Sequence, residues 1–225
     1  MNMIETHNLT KAYGDFKAVS KLNLHVKKGT VYGFLGPNGA GKSTTMKMFL
    51  GLTVPTRGSF TINGMSYPKD RREILRQTGS FIESPAFYGN LSGEENLDLI
   101  RRILRLPRSA VEDALELVGL TEHKKRLAKK YSLGMKQKLG IIAAVMENPD
   151  IIVLDEPLNA LDEKTVNTVK EILLRHKARG ALIIISCHDR EELEFLSDEI
   201  FCIEAGEITG SYTVDEQPEE KKTTT

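Results

Sequence analysis

A chain of 225 residues, 40% of them apolar, suits one domain with a full core and is too short for two ordinary ones. Its 31 Lys plus Arg balance 31 Asp plus Glu, which removes the electrostatic argument for a nucleic-acid partner. Two cysteines, Cys187 and Cys202, stand in no metal-type spacing and read as buried free thiols; no signal-peptide layout opens the chain, and no apolar run approaches the roughly 18 residues of a spanning helix, so a cytoplasmic placement is expected.

In chain order, "KLNLHVKKG" alternates, with Leu22, Leu24 and Val26 on one side, and predicts a half-buried strand closed by a turn. "VYGFL" is apolar throughout, as in a strand buried on both faces. A helix is predicted over "STTMKMFLG", with Gly51 as its stop, and a short strand over "GSFTING", ending in an Asn-Gly turn. From about residue 85 to residue 149 the pattern turns helical. "NLSGEENLDLIRRIL" opens on a Ser92/Glu95 capping box, "SAVEDALELVGL" is amphipathic, and "GMKQKLGIIAAVMENP" is stopped by Pro149. Strands then return in "IIVLD", "ALIIIS" and "EIFCIEAGEI", alternating with helices over "EKTVNTVKEILLRHKARG" and "REELEFLS". This order predicts an α/β fold with a parallel sheet, into which the helical block is inserted. The polar tail from about residue 213 to residue 225 is expected to lie outside the fold.

"GPNGAGKST" fits the phosphate-loop pattern G-x-x-x-x-G-K-S/T and lies between a buried strand and a helix, where that loop must lie. Gly36, Pro37, Asn38, Gly39, Ala40 and Gly41 would turn tightly and aim backbone N–H groups at phosphate oxygens. Lys42 would reach the β- and γ-phosphates, while Ser43, followed by Thr44, would offer a hydroxyl to Mg²⁺. "IIVLDEP" supplies the acidic half of such a site: Asp155 as a metal ligand and Glu156 as general base. The loop in this setting indicates a nucleoside triphosphate; the acidic strand end alone could be an ordinary solvated turn, and gains its meaning beside the loop.

The order of motifs narrows the reading. "YSLGMKQKLG" precedes "IIVLDEPLNALD" and resembles the signature region of ABC (ATP-binding cassette) ATPases, whose motif reads Leu-Ser-Gly-Gly-Gln. Tyr131, Leu133 and Met135 depart from that motif; Ser132 and Gly134 keep it. Tyr13 in "KAYGDFKAV" is similar to the family's adenine-stacking aromatic. "NALD" resembles its D-loop, with Asp162 near the dimer interface, and "ISCHD" places His188 like its γ-phosphate-contacting histidine. "IEAGEI" resembles its closing turn. Each of these is commonplace in isolation; their order across residues 1 to 212 carries the resemblance.

The resemblance implies a P-loop NTPase cassette with a RecA-like parallel-sheet core, an N-terminal antiparallel β subdomain and an inserted helical subdomain. It implies ATP and Mg²⁺ as ligands, ATP hydrolysis coupled to transport, and two cassettes stacked head to tail around the nucleotide, identical or different. It also implies a separate membrane permease, whose cytoplasmic helices would sit near "ESPAFY", and a peripheral position on the inner face of the cell membrane. Where the family usually has Gln, Glu83 offers Mg²⁺ a charged ligand. "FIESPAFYGNLS" looks like the ATPase subunits of bacterial exporters of lantibiotic- or bacitracin-type peptides. Rival readings are an importer ATPase, a soluble ABC ATPase of translation or DNA repair, and a nucleotide-dependent scaffold. The single cassette and the absence of long heptads and zinc-type cysteines count against the soluble ATPase, the lack of room for the C-terminal regulatory domain that many sugar importers carry counts against that kind of importer, and the intact Lys42, Asp155, Glu156 and His188 count against a scaffold.

Overall fold

The computed structural model describes residues 2–83 and 87–214. Part of "ESPAFY" and almost all of the polar tail lie outside these residues.

The chain begins with a long strand, β1 (Asn2–Tyr13), which pairs antiparallel with β2 (Phe16–Leu22) and with β3 (His25–Lys27). Leu22, Leu24 and Val26 are all buried, so the alternation in "KLNLHVKKG" reports burial faithfully. It does not report one strand: β2 ends at Leu22 and β3 starts at His25. Thr6 of β1 causes the break. Its buried hydroxyl donates to Leu22 O at 2.9 Å and accepts from Leu24 N at 2.8 Å, taking two backbone groups out of the ladder.

Next come β4 (Val31–Leu35), the phosphate-loop segment and α1 (Lys42–Phe49). β5 (Arg57–Ile62) and β6 (Met65–Ser66) form a hairpin through Asn63-Gly64, both at positive φ as the turn requires. α2 (Arg71–Arg76) and β7 (Thr78–Phe81) follow. The chain then runs through three α-helices: α3 (Gly93–Leu104), α4 (Ser109–Leu117) and α5 (Leu133–Val145). Ser92 caps α3 with the full reciprocal box: Glu95 N donates to Ser92 Oγ at 3.2 Å, and Ser92 N donates to Glu95 Oε2 at 2.7 Å. Those bonds to the Ser92 backbone and hydroxyl hold the Glu95 carboxyl below its ordinary range.

The last part alternates: β8 (Ile151–Asp155), α6 (Glu163–Ala178), β9 (Leu182–Cys187), α7 (Arg190–Leu196), β10 (Glu199–Glu204) and β11 (Glu207–Thr213). "EIFCIEAGEI" is thus two antiparallel strands, turned at Ala205-Gly206 where both residues have positive φ.

Two sheets result. One is antiparallel, in the order β2-β1-β5-β6 with β3 also on β1. The other has the order β11-β10-β4-β9-β8-β7 and is parallel except for β11. Alternation along the central strands sorts their side chains into two cores. Ile151, Val153, Leu182 and Ile184 join the core shared with α1 and the antiparallel sheet. Ile152, Leu154, Ile183 and Ile185 join the core shared with the helical segment, α6 and α7. Strands buried on both faces explain the unbroken apolar runs.

Cys187 is buried and Cys202 only half-buried, which corrects the expectation of two buried thiols. Both are free, and burial pushes the Cys187 thiol up to about 11, so it remains protonated and unreactive.

Candidate active site

Three neighbouring parallel strands end on one line. Leu35 of β4 pairs with Cys187 of β9, and Asp155 of β8 pairs with Ser186 of β9. The residues that follow, Gly36, Glu156 and His188, therefore leave the sheet side by side at its carboxyl edge, where open α/β sheets bind ligands.

The loop from Gly36 to Gly41 is packed from behind. A Cβ at Gly36 would stand 2.1 Å from Ile203 O of β10, and one at Gly41 would stand 2.4 Å from Ala18 O of β2. Gly41 also holds φ +106, a backbone shape that side chains rarely permit. The β10–β11 turn braces the loop: Gly206 N donates to Ala40 O at 2.9 Å, and Ser20 N donates to Gly206 O at 2.8 Å. Lys42, at the start of α1, is 5% exposed. Its ammonium donates to Gly36 O at 2.5 Å and Pro37 O at 3.1 Å. Among the described residues no carboxylate lies within ion-pair distance of it. A buried cation without a counter-ion, at a helix N-terminus, suits a polyanion such as a nucleotide triphosphate.

Tyr13, Asn38, Gly39, Ala40, Gly41, Lys42, Ser43, Thr44 and Glu156 line one cavity of about 220 Å³. Phe16 lines it as well, 63% exposed beside the 52% exposed Tyr13. The sequence reading did not single out Phe16; its signal was a second aromatic just past the Gly14-Asp15 turn.

Asp155, which precedes the cavity-lining Glu156, is 4% exposed. Ser186 Oγ donates to Asp155 Oδ1 at 2.5 Å and accepts from Glu156 N at 3.0 Å. One hydroxyl thus sets both acidic residues. The other Asp155 oxygen has no hydrogen-bond partner among the described residues. A carboxylate oxygen and the Ser43 hydroxyl are hard ligands of the kind Mg²⁺ takes. Glu156 has φ +48, and Ser186 O accepts from its N–H as well, at 3.2 Å. Its carboxylate accepts from Asn159 Nδ2 at 2.7 Å and lies 3.8 Å from His188 Nδ1. Gln137, buried in α5, donates through Nε2 to Glu156 O at 3.1 Å, tying α5 to the acidic strand end.

Glu83, at φ +59, pairs with Lys47 of α1. Lys47 is four residues past Ser43, hence on the same helix face, so Glu83 sits over the side of α1 that carries the Ser43 hydroxyl.

Ser132, Gly134 and Asp162 do not line the cavity. Ser132 caps α5, accepting from Met135 N at 3.2 Å, and is exposed next to the 59% exposed Leu133. Gly134 stands in the first turn of that helix, against Ala160. Asp162 caps α6, and the Thr165 N–H bonded to it at 2.8 Å holds its carboxyl below the usual range.

Comparisons with known proteins point the same way. A family model described as ABC transporter matches residues 19–159. The bacitracin transport ATP-binding protein BcrA of Enterococcus faecalis is 44% identical over 217 residues, covering 95% of this chain and 70% of that protein. The lantibiotic transport ATP-binding protein SrtF of Streptococcus pyogenes is 41% identical over 206 residues, 92% of this chain and 89% of that one. A solved ATP-binding subunit of an ABC transporter superposes with a TM-score of 0.87 at 29% identity, covering 95% of this chain and 90% of its own. The ATP-binding cassette MJ0796, a dimer in a post-hydrolysis state bound to ADP and Pi, gives 0.86 at 25% identity, over 94% and 99% of the two chains.

Ser186→Ala removes one bond to Asp155 and one to Glu156 while leaving the backbone bond from Glu156 N. It is expected to slow nucleotide hydrolysis about tenfold or more, with the fold intact by circular dichroism; unchanged hydrolysis would remove Ser186 from the site.

Proposed function

The chain belongs to the ABC transporter family as an ATP-binding, ATP-hydrolysing subunit, and from that premise we propose that it drives export of a peptide antibiotic or a similar amphiphile through a separate membrane permease. The observation that carries the cargo reading is the 44% identity, over 95% of the chain, to a bacitracin transport ATP-binding protein.

In this reading Tyr13 and Phe16 flank the adenine, and the Gly36–Thr44 loop with Lys42 holds the phosphates. Ser43, Asp155 and Glu83 would hold Mg²⁺, which would neutralise phosphate charge when bound. Glu156 accepts a proton from the water that attacks the γ-phosphorus; the bond from that phosphorus to the ADP oxygen breaks, leaving ADP and phosphate. Asn159 and His188 fix the Glu156 carboxylate, and His188 reaches towards the transferred phosphoryl group.

A second cassette supplies Ser132 and Gly134. Three features support this: Ser132 is exposed, it lies outside its own chain's nucleotide cavity, and it sits beside an exposed leucine that a partner would cover. ATP then joins two cassettes, and hydrolysis removes the group that bridges them. Asp162 lies close to that junction.

The permease docks between α2–β7 and α3–α5. A cavity of about 1030 Å³ runs there, with Leu75, Ile100, Ile103 and Ala143 as apolar lining and Arg71, Arg72, Arg76 and Arg105 around it. Ile103 is 79% exposed in it. Among the described residues no helix is long and apolar enough to cross a membrane, in keeping with a spanning partner that is a separate chain. The chain then sits peripherally on the inner face of the cell membrane, with residues 1–212 as the cassette.

Glu156→Gln is expected to bind ATP normally, to hydrolyse it about a hundredfold slower or less, and to elute as a dimer when ATP is present; turnover at the parent rate would exclude Glu156 as the base. Purification of the tagged chain from membranes should recover a multispanning protein, and Ile103→Asp should lose most of it while keeping basal ATPase activity. Equal recovery with Ile103→Asp would place the permease elsewhere.

A further inference from the structure

A second cavity, of about 390 Å³, opens between α4, α5 and the C-terminal half of α6. That volume falls within the roughly 300–1,000 Å³ of small-molecule sites. Its walls are apolar: Pro107, Ala114, Leu117, Ile142, Val145 and Met146. Its polar side comes from α6 and the residue just past it, as Arg175, His176 and Arg179.

His176 is only 7% exposed. Its Nδ1 lies 3.0 Å from Arg179 Nη1. A guanidinium only donates, so Nδ1 accepts, and the ring proton is on Nε2. Burial first, and the Arg179 charge second, hold His176 below the ordinary imidazole range, which keeps that tautomer neutral. Nε2–H is therefore a donor in a nine-tenths buried ring, with no partner among the described residues. Arg179 is fixed in place, donating to Asn148 Oδ1 and Asn148 O at 2.9 Å each. Arg175 is exposed and has no ion pair among the described residues. Asp113 is the one acid in the lining, so two guanidiniums face one carboxylate.

We propose that this cavity binds a small anionic amphiphile, an apolar chain ending in a single carboxylate or phosphate group. The chain lies against α4 and α5, and the head group accepts from His176 Nε2–H and the Arg175 guanidinium. A cation would face a net positive lining. A wholly apolar molecule would leave a buried N–H without a partner, a desolvation cost that an anionic head group avoids. The site is independent of the transport reading, since neither the nucleotide loop nor the permease groove supplies Arg175 or His176.

The test uses decanoate, decan-1-ol and decyltrimethylammonium below micelle formation, with calorimetry for affinity and the imidazole NMR signals of the whole chain for location. Decanoate is expected to bind and to shift the His176 ring signals, decan-1-ol to bind more weakly, and decyltrimethylammonium not to bind. Arg175→Gln, at an exposed position that leaves the fold alone, should weaken decanoate about tenfold and leave decan-1-ol unchanged, as loss of a charge-assisted hydrogen bond requires. Equal affinity for the three probes, unmoved His176 signals, or undiminished decanoate binding by Arg175→Gln would overturn the proposal.

Discussion

The register of the buried parallel strands is the constraint on which the rest depends. β4, β8 and β9 are apolar on both faces, so none can slide by one residue without moving its side chains into the wrong core. With Leu35 opposite Cys187 and Asp155 opposite Ser186, the chain positions that follow emerge together. β10 joins the same line, and its Ile203 carbonyl leaves room at Gly36 for a hydrogen and nothing larger. The site is thus built from backbone alignment first and side chains second. Ser186 shows the economy of this arrangement: one buried hydroxyl at a strand end fixes an acid on the next strand and the backbone of the residue after it.

α5 meets three separate parts of the molecule. It is capped by Ser132, touches the acidic strand end through Gln137, and lines the cavity beside α2 and β7 with Ala143, Ala144 and its flanking Glu147. Its opposite face, through Ile142 and Val145, lines the cavity beside His176. One thirteen-residue helix therefore carries side chains that meet all three places. In the proposed transport cycle that rod connects the γ-phosphate of a neighbouring cassette to a membrane subunit. Lys42 presents a buried ammonium held by two carbonyls, with no carboxylate within ion-pair distance among the described residues, an arrangement that suits a polyanion.

Short-range features were legible in the sequence. The glycine loop, the apolar strands and the Ser92–Glu95 box depend on neighbours within a few residues. What was not legible depends on partners far along the chain. Ser186 meets Asp155 across 31 positions and Gln137 meets Glu156 across 19. Thr6 splits a strand whose burial pattern reads as continuous, because its hydroxyl reaches residues 16 and 18 positions away. Glu83 stood out as a substitution, yet its pairing with Lys47 spans 36 positions and is invisible to local pattern. Motif order singled out Ser132 and Asp162 as candidates, but that each caps a helix outside the nucleotide-loop cavity is a property of helix packing.

If ATP is gripped by Lys42 of one cassette and Ser132 of another, mixing two inactive variants, Lys42→Ala and Ser132→Arg, should restore activity. If the site is shared, half the dimers in an equal mixture are mixed and each carries one whole site, so ATP hydrolysis returns to about a quarter of the unaltered rate. If Ser132 serves the nucleotide of its own chain, the mixture hydrolyses ATP no faster than the two variants do apart, and the account fails.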